Sequence, residues 1–383
     1  MKRRTLLFSV LQSLYWIGAC LVYSYAERFL NAFGFETDAV GGIVAIAYGF
    51  AMVLQPVLAA AADRERTVTL RTAIAFGALL SCGIAAPLLF GGNALAVVAV
   101  LFGALSSVTL AIQPLVNAVG FHYANRGEAI DFSLARGAGS VAYALASLLL
   151  GALAAHGSTW MLVPYVAANA GLFLLALRFA PHRTGGVPKT DGASLFGVIR
   201  RYPAFLLFCL GNFVLFIPHN FLNAYLASIT GVTGGNMSVM LAVAALVEFP
   251  AMMAYSRIRT RVSDRVLLVV SASIFLIKTG LMLAAAYLPI GAWAVYLSSA
   301  MQMLCYAIFV PAAAYFANDS VQSSDQVKGQ MLLTEATLLS GVFSMLFGGL
   351  SIRHLGVPVS LILCEALVLL GVILIAVSVR KRK

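Results

Sequence analysis

The amino-acid sequence predicts an all-α polytopic membrane protein, with twelve membrane-spanning helices arranged as two parallel six-helix repeats. Three observations carry this expectation: an apolar composition, apolar runs of spanning length that recur along the chain, and a regular alternation of basic charge. Of 383 residues, 61% are hydrophobic and 10% charged, whereas soluble globular chains carry about 25% charged residues. Runs of the roughly 20 apolar residues needed to cross a bilayer recur from residue 5 to residue 379, at 5–30, 38–62, 68–90, 94–117, 133–155, 160–180, 202–229, 236–256, 265–287, 290–316, 329–352 and 356–379. The opening MKRR and the apolar stretch after it have the form of a secretory signal. The eleven spans that follow favour a first membrane helix instead.

The formal net charge of +11 raises the question of nucleic acid, and its distribution answers it. All but three of the 25 Lys and Arg fall in alternate connections or at the termini, while segments 31–37, 91–93, 156–159, 230–235 and 288–291 contain none. That is the positive-inside asymmetry, which places both termini in the cytoplasm of a plasma-membrane protein. Nucleic-acid binding has no separate support. Cys20, Cys82, Cys209, Cys305 and Cys364 each stand alone within a span. They read as buried free thiols, with neither disulfide nor metal-ligand spacing.

The segment HRTGGVPKTDGASLFGVIRR at 182–201 is rich in Gly and basic residues and falls near mid-chain. It divides the chain into an N-terminal bundle, 1–181, and a C-terminal bundle, 202–383, with 182–201 as a cytoplasmic central loop. Landmarks repeat across it. Pro56 and Pro250 are 194 residues apart, as are Arg71 and Arg265; Pro114 and Pro311 are 197 apart, and Arg136 and Glu335 199 apart, each of the last two followed 21 residues later by a Gly, Gly157 and Gly356. A slowly drifting offset of this kind describes a parallel repeat about an axis along the membrane normal.

Six plus six helices with a basic central loop resemble the major facilitator superfamily. Residues 40–71, VGGIVAIAYGFAMVLQPVLAAAADRERTVTLR, resemble its second helix and following loop, where a G-x-x-x-D-R-x-G-R signature sits. Asp63 and Arg64 occupy the acid and base positions of that signature, so the resemblance implies a conformational-switch role for them; Ala59 replaces the first glycine and the later glycine is absent. Within the superfamily the chain is most similar to the lactose-permease-like oligosaccharide:proton symporters and their bacterial relatives. In IDFSLARGAGSVAYA, residues 130–144, Arg136 falls on the family's sugar-binding arginine and Tyr143 on its sugar-stacking tryptophan, while Asn117 falls on or beside a sugar-binding carboxylate. Lys278 falls on a ninth-helix arginine, Glu248 lies within a turn of an eighth-helix carboxylate, and Asn223 matches a seventh-helix asparagine. The family's tenth-helix His and Glu are replaced by Tyr306 and Phe309. Its seventh-to-eleventh helix Asp/Lys pair is replaced by Pro218 and Thr337.

Independently of any family, a charged side chain near the bilayer centre costs about 2.5–3.5 kcal/mol on insertion scales and is therefore a site candidate. Glu248 stands inside AVAALVEFPAMMA, two residues before Pro250, which breaks a helix hydrogen bond there. Lys278 lies mid-span and is expected to pair with Glu248 or Glu335. Arg136 has the planar fork that suits paired hydroxyls or a carboxylate, with Tyr143 two helical turns on and on the same face. His219, Asn220 and Asn223 form a polar patch in FVLFIPHNFLNAYLA, the two asparagines sharing a face; Gln113 and Gln302 lie near the paired prolines. Glu335 reads as a second proton site or as a first-turn acid at a helix start. Glu27 and Arg28, with Tyr23 before them, read as an interface group, and Glu365 has no counterpart. For every one of these, interhelical bonding or a static ion pair is the alternative reading.

No P-loop, G-x-G-x-x-G, H-E-x-x-H or G-x-S-x-G is present, so neither ATP-driven transport nor hydrolase chemistry has local support. The expectation is a non-enzymatic secondary transporter, a monomer in the bilayer without cofactor or metal, that takes up a sugar or oligosaccharide with protons. The solute would be held by Arg136, Asn117, Tyr143, His219, Asn223, Glu248 and Lys278, and the proton by Glu248 or Glu335, the two halves rocking about a midplane cavity. Export, or transport of a nucleoside, an aromatic acid or a drug-like solute, is the alternative within transport. A non-transporting membrane sensor is the alternative outside it.

Overall fold

The computed structural model of the protein describes residues 3–63, 69–90, 94–124, 131–179, 195–322 and 325–380. The described residues are helices joined by short turns, and the chain divides into two compact units, Met1–Pro188 and Lys189–Lys383.

In the first unit α1 (Arg3–Ser24) and α2 (Ala26–Asn31) are one span broken at Tyr25, followed by α3 (Thr37–Asp63), α4 (Leu70–Leu89), α5 (Leu95–Ala124), α6 (Phe132–Ala154) and α7 (Leu162–Ala176). Local chemistry sets several of these ends. Thr69 caps α4, its hydroxyl accepting from the Thr72 N–H while the Thr72 hydroxyl accepts from the Thr69 N–H. Asp131 caps α6 through the Leu134 N–H at 2.9 Å, as short polar side chains do at helix starts. Gly157, at φ 132°, turns the chain into the short 3₁₀ segment Ser158–Met161 that leads into α7. In this unit α1 packs against α5, α6 and α7.

The second unit contains α8 (Leu195–Arg201), α9 (Pro203–Ala224), α10 (Leu226–Thr233), α11 (Met237–Arg259), α12 (Asp264–Tyr287), α13 (Trp293–Ala300), α14 (Tyr306–Ser320) and α15 (Gln326–Ser378). Of the expected central loop 182–201, residues 182–194 lie outside the described residues and the rest is α8. The apolar part of α15, Lys328–Ser378, has 51 residues. At about 1.5 Å per residue it would greatly exceed a hydrocarbon core of about 30 Å. It is two spans, divided where Gly356 leaves the helix at φ 79° and ψ 166°. The eleven apolar helices of spanning length among the described residues thus contain twelve crossings.

Each unit is built in the same way. The first span of each breaks at a tyrosine, Tyr25 or Tyr225, whose hydroxyl donates to a carbonyl on another helix of the same unit, Ser147 or Met345, at 2.6 Å in both cases. Helices approach closely at small residues, the usual basis of packing between membrane helices. Leu14 of α1 rests over Gly171 of α7, and Leu215 of α9 rests over Gly371 of α15. A Cβ built on Gly371 would stand 3.0 Å from the Leu215 backbone, so α9 or α15 must shift to admit it. Gly371→Ala is therefore expected to destabilise the protein by about 1–3 kcal/mol, the usual cost of overpacking. Thermal unfolding of the detergent-solubilised protein measures this. Gly231→Ala, inside α10 where nothing lies within 4 Å of the added atom, should not lower the midpoint and, by helix propensity, should raise it slightly.

Candidate functional site

In each unit a polar cluster among the helices gathers several of the residues that the sequence singles out. In the first unit the cap at Asp131 starts α6 so that Arg136, Ser140 and Tyr143 fall at i, i+4 and i+7, on one face. The Arg136 guanidinium lies over the Trp16 ring of α1, 4.2 Å from its centroid, and donates to the Ser140 hydroxyl at 3.2 Å. Trp16 fits there because position 139 is glycine: a Cβ on Gly139 would stand 2.6 Å from the indole. The indole N–H donates to Gln12 Oε1 at 3.2 Å, and the Gln12 amide donates to Asn117 Oδ1 of α5 at 3.0 Å. Tyr23 also stacks with Trp16, its ring centroid 6.0 Å away, and its hydroxyl donates to Gln113 Oε1 at 3.0 Å.

Tyr143 meets Trp16 edge-on, and its hydroxyl is hydrogen-bonded to Ser24. The ring beneath Arg136 is thus Trp16 of α1, with Tyr143 packed against it. Arg136 is half-buried and has no carboxylate partner among the described residues. Its remaining N–H donors are available to an acceptor from outside the protein.

In the second unit three buried side chains make a chain of opposite charges bridged by one amide. Lys278 of α12 donates to Gln302 Oε1, and Gln302 Nε2 donates to Glu248 Oε1 of α11 at 2.9 Å. The three are 4%, 4% and 9% exposed. The amide has its acceptor toward the ammonium and its donor toward the carboxylate, the one orientation that satisfies both. Gln302 reaches this position because the tenth span is not a continuous helix. The turn Met301–Met303 is 3₁₀ and Cys305 leaves helical geometry at φ −87°, ψ −80°, a kind of interruption that often marks a hinge. The expected pairing of Lys278 with Glu248 thus runs through Gln302.

His219 of α9 is buried, lies flat on Tyr306 at 4.7 Å and is bordered edge-on by Phe216 and Phe275. The Asn223 amide folds back onto the His219 ring nitrogen at 3.3 Å and onto its carbonyl at 3.0 Å. Asn220 turns instead to the Ser340 hydroxyl of α15 at 3.1 Å. The two asparagines share a helix face by spacing but bind different neighbours.

Glu335 is half-buried on α15, and no hydrogen bond or ion pair reaches it among the described residues. The structure does not bring it to Lys278. Asp63 ends α3 with its side chain outside the described residues, and Arg64 lies outside them altogether. Glu27 is buried and Arg28 half-buried, at the start of α2. The five cysteines are free, and no group of three potential ligands able to hold a metal occurs among the described residues. Trp16 and Gln12 are the cluster members that sequence reasoning missed. The available signal was the recurrence of Gln12, Trp16 and Tyr23 at i, i+4 and i+11 within an apolar span.

The profile of the MFS_1 like family matches residues 11–361. No curated protein matches the chain. Among solved structures it is similar to a point mutant of the nucleoside transporter NupG, with 12% identity over 98% of this chain and 100% of that one and a TM-score of 0.79. A bacterial homologue of the human lysosomal transporter Spinster, inward-facing and unoccupied, matches with 16% identity over 99% and 98% of the two chains and a TM-score of 0.73. The POT family transporter PepTSo matches with 10% identity over 99% and 98% and a TM-score of 0.75.

Proposed function

The chain belongs to the MFS_1 like family, within the major facilitator superfamily of membrane transporters, and from that premise we propose that it takes up a small polar solute, a sugar or oligosaccharide, with protons. The multi-pass secondary transporter then lies in the plasma membrane with both termini in the cytoplasm. It works as a monomer by alternating access, units 1–181 and 202–383 moving about segment 182–201, with Asp63 and Arg64 in the switch.

The observation that carries the solute class is the Arg136 fork held over the Trp16 ring without a carboxylate partner among the described residues. A guanidinium binds paired hydroxyls or a carboxylate in its plane, and an indole face takes the apolar side of a sugar ring or a planar base. Gln12, Gln113, Asn117 and Tyr143 supply further hydrogen-bonding groups around that position. The second unit offers His219 and Asn223, and the buried Glu248–Gln302–Lys278 chain suits proton coupling. Protonation of Glu248 removes the charge that Gln302 and Lys278 are arranged around, which links proton binding to helix positions in that unit. Glu335 is the reserve candidate for the proton.

The same Arg136 and Trp16 pairing supports a second reading, a nucleoside or an aromatic acid, with the base or ring on the indole. One experiment separates the two and tests both. Purified protein in proteoliposomes is offered labelled mono- and disaccharides, nucleosides and aromatic acids, with and without an inward proton gradient. Gradient-dependent accumulation of a saccharide is the expected result. Accumulation of the nucleoside or the acid alone overturns the sugar assignment, and absence of any accumulation or proton flux overturns symport.

A further inference from the structure

Glu365 belongs to neither polar cluster. It lies on α15 nine residues past the turn at Gly356, about 13 Å along the helix at 1.5 Å per residue, and so near the middle of the twelfth crossing. Its neighbours along the helix, Ile362, Leu363, Leu369 and Leu370, are 46%, 36%, 50% and 47% exposed, which marks this flank of the unit as the one turned to lipid. Across from it on α12, Ile277 is 55% exposed.

At this place α12 carries a glycine. A Cβ on Gly280 would lie 3.8 Å from Glu365 Oε1, so the carboxyl is tucked against bare backbone at the edge of the α12–α15 seam. Its other oxygen, Oε2, is buried and has no hydrogen-bond partner among the described residues. The surrounding titratable groups are otherwise engaged or turned away. On α12, Lys278 is bound to Gln302. On α9, which packs along α15, His219 is enclosed by Phe216, Asn223, Phe275 and Tyr306, and Cys209 is buried near Ile375, further along α15. Cys364, beside it on its own helix, is fully buried.

A carboxylate in apolar surroundings, without cation or donor, is the costly form of the group, and a carboxylic acid is the form that such a place tolerates. We propose that Glu365 is a proton-binding site on the lipid-facing flank of the second unit, separate from the solute and coupling clusters and reactive toward lipid-soluble carboxyl reagents. Its half-exposed setting lets the proton exchange and lets a small apolar molecule reach the oxygen from the membrane.

An apolar carbodiimide reads this directly. The carboxyl proton passes to one nitrogen of the reagent while the carboxylate oxygen bonds to its central carbon. The resulting O-acylisourea rearranges to an N-acylurea, so the whole reagent stays attached and nothing leaves. Dicyclohexylcarbodiimide is applied to the full-length protein in proteoliposomes, and the modified peptides are mapped by mass spectrometry. Labelling of Glu365 is expected to be several-fold greater at about pH 6 than at about pH 8.5 and to exceed many-fold that of Glu36, a solvent-exposed carboxylate. The site is overturned if Glu365 labels no more than Glu36, if its labelling is the same at both pH values, or if only a charged, water-soluble carbodiimide reaches it. Solute accumulation by Glu365→Gln and Glu365 labelling in Glu248→Gln are measured alongside. Both should persist, so that failure of this site and failure of the transport reading are told apart; loss of Glu365 labelling in Glu248→Gln would also overturn its independence.

Discussion

Glu248→Gln abolishes gradient-driven solute accumulation while leaving solute exchange across the membrane. The expectation follows from the bridged charges in the second unit. Gln302 presents its N–H to the Glu248 carboxylate and its oxygen to the Lys278 ammonium, an orientation that favours opposite charges at the two ends. A glutamine at position 248 keeps the size and the acceptor but cannot take up or release a proton. Binding and the helix movements of exchange need no net proton transfer and continue. Uptake in the variant should stop at equilibration with the external solute, with and without the gradient. Unchanged accumulation would remove Glu248 from coupling and leave Glu335 to be tested in the same way.

The same chain makes a stability prediction that depends on charge and not on transport. Lys278→Met leaves the Glu248 carboxylate buried without its cation, a loss of about 3–5 kcal/mol by analogy with other broken buried pairs. Combining it with Glu248→Gln removes the stranded charge and should recover most of that loss, because neutral replacements of a buried pair are often nearly as stable. Thermal unfolding of the two single variants and the double variant measures the coupling. Additive effects would mean that Gln302 does not link the charges.

The parts of this protein that depend on local chemistry were legible in its sequence. Apolar run length located the twelve crossings, and a glycine that must adopt positive φ marked the turns at Gly157 and Gly356. Capping residues such as Asp131 and Asn236 stood where helices begin. The breaks at Tyr25 and Tyr225 were not legible, because tyrosine does not end helices. Those breaks are fixed by hydroxyls that reach carbonyls 122 and 120 residues away. Contacts of that kind decided the sites as well. Charges in apolar spans pointed to Lys278 beside Glu248 or Glu335, but which carboxylate, and which amide would join the pair, depended on an interrupted helix around Gln302. Trp16 was overlooked for a related reason. A tryptophan in an apolar span looks like packing until the glycine at position 139 and the arginine at 136, more than a hundred residues later, are seen against its ring.

Trp16→Ala weakens solute binding about 5- to 30-fold, with Trp16→Phe intermediate. Removing the indole takes away a face on which the solute can lie, and it also frees the Arg136 side chain that rests on it. Contact of the solute with an aromatic ring contributes about 0.5–1.5 kcal/mol, each 1.4 kcal/mol is about tenfold in affinity, and disorder of the freed Arg136 adds to the loss. The phenyl ring keeps part of the surface but has no N–H for Gln12, whose amide also holds Asn117. Arg136→Lys tests the other partner. It preserves the charge but replaces a planar fork by a single point donor, so a solute recognised through two adjacent oxygens loses at least as much affinity as in Trp16→Ala. Equilibrium binding of labelled solute measures these variants, and solute-dependent tryptophan fluorescence of the protein with Trp16 intact reports on that ring if Trp160 and Trp293 are first replaced by phenylalanine; both lie at helix starts and are 53% and 59% exposed. In that background the signal comes from Trp16 alone. Solute that leaves the Trp16 emission unchanged while still being transported would show that it binds elsewhere, and with that the assignment of the first cluster as the solute site would fall.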